Sequence, residues 1–480
     1  MFNKSQIQAI SHMDGPAMVL AGPGSGKTTV ITHRIKNLIE KAEVRPENIL
    51  VVTFTKAAAI SMQKRFSTLM NGGKGQLVTF GTFHSVFYKI LKKSRRYEAT
   101  EILSERQKTD YIREIIGRYG ISSNDISELS QNIINDIGNI KGNMLNAQEY
   151  EPSCCKKEDF IKVYNAYNLE LKKDGKMDFD DILRECYLLL CENHTILEQW
   201  RELYKYILID EFQDINRIQM NIIELLASPL NNIFVVGDDD QSIYGFRGAR
   251  PEIMIEFKDY YPEAELIVLN VNYRSTQSII NVAGRVIENN KTRLDKCAHA
   301  NNDKDFQPDI RKFRNQVEEL KFVVSKIKKY ENQGISLSEM AILVRNNSQI
   351  QEISSFLKNR KIEAESGKHR SNIYNGMVAK DILSYVRGAL KFDGTYFNED
   401  LIYVLNKPQR YISRQVVLSV NMNISAVRRI YSKNNIDSFL FHIEMIRKLP
   451  PQAALSYIRK GAGYEEYLRL YAIENNIPFE

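Results

Sequence analysis

Long apolar runs are missing from these 480 residues: no uninterrupted stretch of about 18 hydrophobic residues occurs, so no segment reads as a membrane span. Cysteine is scarce. The five present (Cys154, Cys155, Cys186, Cys191 and Cys297) have no zinc-ligand spacing, and their odd number argues against a disulfide framework. Reduced thiols in a cytoplasm are therefore expected. No charged-then-apolar leader precedes Phe2-Asn3-Lys4, no internal repeat recurs, and no low-complexity tract interrupts the chain. A strong excess of one charge is lacking too. The 66 basic and 59 acidic residues leave a net charge of +7, a weak pointer to an anionic partner. Clusters such as Lys89, Lys92, Lys93, Arg95 and Arg96 read, taken singly, as solvated helix faces. Hydrophobic residues make up 43%, enough for real cores, and the length suits roughly two to four domains.

The pattern along the chain is α/β. Short β-branched runs at Ala17 to Leu20, Ile49 to Phe54 and Leu77 to Phe80 alternate with helical spacing. Residues 91–199 change character, becoming polar and helical with no clear strand. The alternation then resumes at Tyr206 to Ile209, Ile233 to Val236 and Leu266 to Leu269. Residues 1–90 with 200–268 therefore read as one parallel-sheet domain carrying a helical insertion. A second α/β region, 269–384, starts with a helix near Ile279 to Ile287. A strand at Asp309 to Arg314, a helix from Val317 to Tyr330 and a strand at Met340 to Val344 follow, and 385–480 is helical again.

Against this background Ala21-Gly22-Pro23-Gly24-Ser25-Gly26-Lys27-Thr28 follows the first apolar strand and opens a helix with apolar residues at Val30, Ile31, Ile35, Leu38 and Ile39. Glycines let the backbone curl so that its N–H groups converge on an anion, and the helix N-terminus adds positive potential. Lys27 supplies a charge for the β- and γ-phosphates of a nucleoside triphosphate and Thr28 a hydroxyl for Mg²⁺, as in a P-loop NTPase. The strict pattern has glycine where Ala21 stands, so the match is a relaxed one.

The strand Tyr206 to Ile209 ends in Asp210-Glu211. A carboxylate at a strand tip beside a phosphate loop is where Mg²⁺ is held, which assigns Asp210 to the metal and Glu211 to the attacking water. A third strand ends in Gly237-Asp238-Asp239-Asp240-Gln241, and neutral Gln241 suits sensing of the γ-phosphate. Parallel sheets gather such strand ends into one crevice. Further loop tips carry Phe54, Thr55, Phe83, His84, Tyr244, Phe246 and Arg247. Rings on which bases stack, with hydroxyls and cations for phosphates, suit single-stranded nucleic acid. Taken alone, each of these rings reads as core packing, and His84 as a structural histidine.

Together the strings resemble the superfamily 1 DNA helicases of the UvrD, Rep and PcrA group, in family order over essentially the whole chain. Phe2-Asn3-Lys4-Ser5-Gln6 is similar to the opening motif, with Gln6 on the adenine. Thr53 to Ala58 and Gly81 to Ser85 resemble the DNA-contact motifs, and Asp178-Phe179-Asp180-Asp181 the acidic segment before the magnesium motif Asp210 to Asp214. Gly237 to Gly248 resembles the coupling motif, and Asn272-Tyr273-Arg274-Ser275 the fourth. The resemblance implies that ATP is bound by Gln6, Ala21 to Thr29, Tyr273 and Arg274, and that Tyr273 stacks on adenine while Arg274 reaches the γ-phosphate. It implies two RecA-like domains with helical insertions, ATP between them, and movement along single-stranded DNA, 3′ to 5′, with unwinding at single-strand/duplex junctions during repair, replication or recombination.

Departures from the family pattern are also visible. Thr29 stands where many relatives have arginine, and Phe246 where many have tryptophan. Tyr374 to Leu390, Asn406 to Ile412 and Gly461 to Glu465 resemble parts of the second insertion, and no fifth or sixth motif follows before Glu480. The expectation is an incomplete second motor domain: a fragment, a truncated product, or one completed by a second polypeptide. A rival to the motor is a module that holds ATP and single strands without unwinding. A helicase–nuclease has no nuclease segment to support it.

Overall fold

Alternation along the strands sets the layers. The computed structural model describes residues 2–70, 77–94, 101–121, 126–302, 306–365, 377–431 and 433–474. Its strands, in chain order, are β1 Ala17–Ala21, β2 Ile49–Thr53, β3 Thr79–Thr82, β4 Glu101–Ile102, β5 Lys176–Met177, β6 Tyr206–Ile209, β7 Ile233–Gly237, β8 Glu265–Leu269, β9 Val271–Asn272 and β10 His299–Ala300. Six of them form one all-parallel sheet in the order β3-β2-β6-β7-β1-β8. Every residue of β1, β2 and β7 is buried, as parallel strands covered on both faces must be. Met18, Leu20, Leu50, Val52, Ile207 and Ile209 face one core, with Phe83, Phe87, Trp200 and Ile218. Their strand neighbours Ala17, Val19, Ala21, Ile49, Val51 and Leu208 face the other, with Val30, Ile31 and Ile35 of helix Lys27–Glu40. The period of two thus sorts each strand between two cores.

The chain divides into two compact units, Met1–Asp309 and Ile310–Glu480. In the first, helices Glu105–Arg118, Ile126–Asn143 and Lys157–Lys173 build a core of their own around Ile112, Ile133, Phe160 and Tyr167. Helices Phe179–Glu192 and His194–Leu203, within the 91–199 stretch, instead pack their Ile182, Leu189 and Trp200 into the sheet core. Between these bodies lies a buried charge network. Lys141 Nζ meets Asp178 Oδ2 (3.1 Å) and Asp181 Oδ1 (2.6 Å), and Lys108 Nζ meets Asp180 Oδ2 (2.9 Å). The Tyr167 hydroxyl donates to Asp178 (2.9 Å). Asp178 also caps its helix by accepting from Asp181 N (2.8 Å), so the acidic segment is a rivet holding the inserted helices to the sheet. The β4–β5 pair, two residues long, is too short to leave a periodic signal in a stretch that reads as strand-free.

The second unit packs helices Met377–Leu390, Glu399–Val404, Ile424–Ile430 and others around Tyr385, Leu401, Phe439 and Ile443. A smaller cluster joins helices Gln316–Asn332 and Asn347–Lys358 through Val324, Ile327 and Leu357. The strands expected at Asp309 to Arg314 and Met340 to Val344 form no ladder among the described residues. Met340 is extended (φ −103°, ψ 135°), so the local preference is met, yet Ile310 and Leu343 are 86% and 92% exposed. A β-branched run selects extended backbone, but a strand also needs a paired neighbour, which local sequence does not supply. Arg95, Arg96 and residues 374–376 lie outside the described residues. Among those described, no helix is long and apolar enough to cross a membrane.

Candidate functional site

Because all six strands run the same way, their carboxyl ends share one edge. The phosphate loop, Phe54-Thr55, Phe83-His84, Asp210-Glu211 and Asp238 to Gln241 all leave the sheet there. Helices Lys27–Glu40, Lys56–Leu69 and Phe83–Lys93 begin at that edge, so their unpaired N–H groups and positive dipole ends gather on it.

The loop itself needs its glycines. Gly24 and Gly26 have φ of 70° and 91°, the left-handed region. A Cβ on Gly24 would also stand 2.7 Å from both Arg274 Cβ and Asn272 Oδ1, because the Asn272–Arg274 segment lies directly against the loop. Asn272 Nδ2 donates to Pro23 O (2.7 Å), Tyr273 N donates to Gly24 O (2.9 Å), and Asn272 Oδ1 accepts from Arg274 N and Ser275 N (2.8 Å each). On the other side, Gln6 Nε2 donates to Ser25 O (3.1 Å) while Gln6 Oε1 accepts from Asn3 N (3.2 Å). Asn3 Nδ2 donates to the Tyr273 hydroxyl (3.0 Å). Gln6 is therefore a buried brace of the loop, with one N–H and one lone pair left for a ligand. Thr28 is half-buried, and Thr29 and Arg274 are exposed.

At the tip of β6 the two carboxylates differ. Asp210 is buried, and its Oδ1 has no hydrogen-bond partner. Burial, then the neighbouring Glu211, push its pKa up to about 6 despite Lys27. Glu211 adopts a left-handed backbone (φ 53°, ψ 49°). Its Oε2 accepts from Lys27 Nζ (3.2 Å) and Gln213 Nε2 (2.9 Å). Asp214 also has a buried oxygen without a partner, and burial followed by Glu211 raises its pKa to about 6. A buried carboxylate oxygen without a partner is a hard donor of the kind Mg²⁺ takes, and Thr28 offers a hydroxyl on the phosphate loop, so the residues present fit that ion.

A stability prediction follows from Asp210. Its folded pKa lies above the usual 3.8, so folding favours the neutral acid. That contribution is complete below about pH 4 and is lost as the pH rises through about 6. In EDTA at pH 8, Asp210→Asn should therefore stabilise the protein by about 1–3 kcal/mol, with the gain shrinking at pH 5. Urea unfolding at both pH values checks this; a variant less stable than wild type at pH 8 contradicts it.

From Glu211 a hydrogen-bond chain runs across the edge. Gln213 Oε1 accepts from Asp238 N (3.0 Å), and Asp238 Oδ2 accepts from Gln241 Nε2 (2.6 Å). Gln213 fits because Gly237 leaves room: a Cβ there would stand 2.7 Å from Gln213 Oε1. Three residues beyond Gln241 lies an aromatic track. Phe54 and Tyr244 have centroids 4.8 Å apart, Tyr244 and Phe246 6.1 Å, and the Arg247 guanidinium lies 5.7 and 5.6 Å from Tyr244 and Phe246. Phe246 is 61% exposed. Thr55 caps helix Lys56–Leu69 by accepting from Ala58 N (3.1 Å). Gly248 O accepts from Asn143 Nδ2 (3.1 Å), tying this turn to the inserted helices.

Two expected contacts read differently in the structure. Phe83 is buried against Phe87 in the sheet core, and a buried ring offers no face to a base, so it leaves the set of candidate DNA contacts. The bland alternative, core packing, is the one realised. His84 sits edge-on to Phe179, and burial lowers its pKa against the pull of Asp180 and Asp178. Asn3, Gln213, Asp214 and Asn272 fall within motif strings, but their site contacts are not legible from local pattern. Asn272 and Pro23 are 249 positions apart.

Comparison with known proteins gives the family. Residues 2–262 match the model of the UvrD/REP helicase N-terminal domain, and residues 267–474 that of the UvrD-like helicase C-terminal domain. The chain is 32% identical to a putative ATP-dependent DNA helicase, YjcD, of Bacillus subtilis (strain 168), over 99% of this chain and 64% of that protein. It is also 32% identical to the ATP-dependent DNA helicase PcrA of Staphylococcus aureus (strain Mu50), over 91% of this chain and 59% of that protein. The chain thus spans somewhat less than two thirds of the length of these relatives.

Proposed function

Because the chain belongs to the UvrD/Rep helicase family, we propose that it is an ATP-driven motor on single-stranded DNA. The observation that carries this reading is the unbroken chain Lys27–Glu211–Gln213–Asp238–Gln241, which starts on the phosphate loop and ends three residues from Tyr244. A change at the γ-phosphate can pass along it to a surface built to stack bases. In this reading the loop amides and Lys27 bind the triphosphate, and Tyr273, anchored to Asn3, stacks on adenine. Arg274 meets the γ-phosphate, and Thr28 and Asp210 would hold Mg²⁺, which would neutralise phosphate charge. Glu211 orients and deprotonates the attacking water. Thr55, at a helix N-terminus, and Arg247 hold phosphates, and Phe54, Tyr244 and Phe246 carry bases.

The test is ATP hydrolysis with and without single-stranded DNA. Strong stimulation by DNA is expected. Binding of both ligands with no turnover would overturn the motor reading in favour of a module that only holds them. Travel 3′ to 5′ and unwinding at single-strand/duplex junctions belong to the same proposal, and strand displacement on 3′- against 5′-tailed duplexes reads them. Phe246→Ala should weaken single-strand affinity about 5- to 100-fold, the worth of one stacked base, at unchanged ATP affinity. A fluorescence-anisotropy titration checks it, and unaltered DNA affinity removes Phe246 from the track.

A further inference from the structure

The coupling loop carries three consecutive carboxylates, Asp238, Asp239 and Asp240, and their oxygens converge within 4.8 Å. Such a cluster repels itself unless a cation meets it. Here the cation is a lysine ammonium. Lys296 Nζ lies 2.6 Å from Asp238 Oδ1 and 2.8 Å from Asp240 Oδ2, and also contacts Asp239. Arg293 adds a two-pronged contact to Asp240, Nε to Oδ1 at 3.0 Å and a terminal nitrogen to Oδ2 at 2.6 Å, and Leu294 N donates to Asp239 Oδ2 (2.8 Å). All three side chains are thus held by one short segment, 293–296. That segment is anchored at its far end as well. β10, His299–Ala300, pairs in parallel with β9, Val271–Asn272, and Asn272 is the residue that grips the phosphate loop through Pro23. Ala300 N donates to Gln277 Oε1 (2.8 Å), fixing the strap to the helix that follows Arg274.

We propose that residues 293–296 form a clasp that positions Gln241, with Lys296 and Arg293 as positioning residues that link the nucleotide loop to the coupling loop by a route separate from Glu211–Gln213. The inference rests on the motor reading above for its consequence, but not for its geometry. Asp238 is the hinge of the argument. One of its oxygens is held by Lys296 and the other accepts from the Gln241 amide (2.6 Å). Without the ammonium, Arg293 is the one paired cation left to the three carboxylates among the described residues, and Asp238 Oδ1 keeps only its neutral bond from Asp240 N (3.2 Å), so the carboxylate that aims Gln241 is held less firmly. Because the clasp also reaches β9 through β10, a displacement of Asn272–Arg274 on nucleotide binding is transmitted to Gln241. Among the described residues Lys296 and Arg293 pair with Asp238, Asp239 and Asp240 and not with the phosphate loop, Gln6, Tyr273 or Arg274, so their loss leaves those binding groups in place.

The experiment compares the full chain with Lys296→Met, which keeps length and removes charge, and with Arg293→Lys, a milder change at a more exposed position. DNA-stimulated kcat is expected to fall about 10- to 100-fold in Lys296→Met and severalfold in Arg293→Lys, with KM for ATP and single-strand affinity within about threefold of wild type. Hydrogen exchange should rise in residues 238–247 and stay unchanged in β1 and β2. A kcat within twofold of wild type, or exchange that rises throughout the sheet in step with a lowered melting temperature in both variants, overturns the clasp and leaves a merely structural ion pair. If the wild-type chain itself shows no DNA-stimulated turnover, the motor reading fails. Hydrogen exchange then decides the clasp alone: a local rise in 238–247 upholds it and an unchanged loop refutes it.

Discussion

Glu211→Gln should leave ATP bound and all but end its hydrolysis, with kcat lowered about 10²- to 10⁴-fold, the usual worth of a general base, and KM within about threefold. The argument rests on where the carboxylate is and on the strain used to put it there. β6 delivers Glu211 to the sheet edge in a left-handed conformation that an L-residue adopts at a cost of about 1–2 kcal/mol. That backbone turns the side chain toward Lys27, and Gln213 holds the same carboxylate oxygen from the other side. A glutamine keeps the shape and can still accept from Lys27, so the phosphate loop should stay assembled. What it lacks is basicity, the one property that water activation requires. Steady-state turnover with a parallel titration of a fluorescent nucleotide separates binding from chemistry. Turnover within tenfold of wild type would remove Glu211 from the catalytic role.

How much of this could be read without coordinates depends on the length scale of each signal. The strand Tyr206–Ile209 was legible because four apolar residues end abruptly in two acids, and the structure has it at those residues. The start of helix Lys27–Glu40 was legible from glycines and a 3.6-residue period. Both are local. Three things were not local and were missed or misread. The run Met340 to Val344 carries the composition of a buried strand, yet burial is a property of neighbours, and Leu343 stands exposed. Phe83 and Phe246 are both rings near loop tips, and only packing distinguishes the buried one from the exposed one. Asp238 to Asp240 alone reads as an acidic turn. The lysine that meets it lies more than fifty residues on, in a stretch with no motif of its own.

Lys27→Ala carries the largest expected loss, because it removes two functions at once. The ammonium is placed to meet the β- and γ-phosphates, where a charge-assisted contact contributes about 1.5–3 kcal/mol to binding and a positioned cation about 3–4 kcal/mol more as charge develops in the transition state. The ratio kcat/KM should therefore fall at least about 10³-fold, with ATP affinity reduced as well as turnover, which separates this variant from Glu211→Gln. The same ammonium opposes the upward pKa shifts of Asp210 and Asp214. Its loss leaves Asp210 and Asp214 beside Glu211 without that counter-charge, so protonation of the two aspartates should move to still higher pH. Lys27→Arg is not expected to restore activity, because a planar guanidinium cannot replace a compact ammonium between the loop and Glu211. The decisive pair of measurements is nucleotide affinity and kcat for both variants at pH 8. Wild-type turnover in Lys27→Ala would sink the placement of the triphosphate on this loop, and with it every role assigned around it.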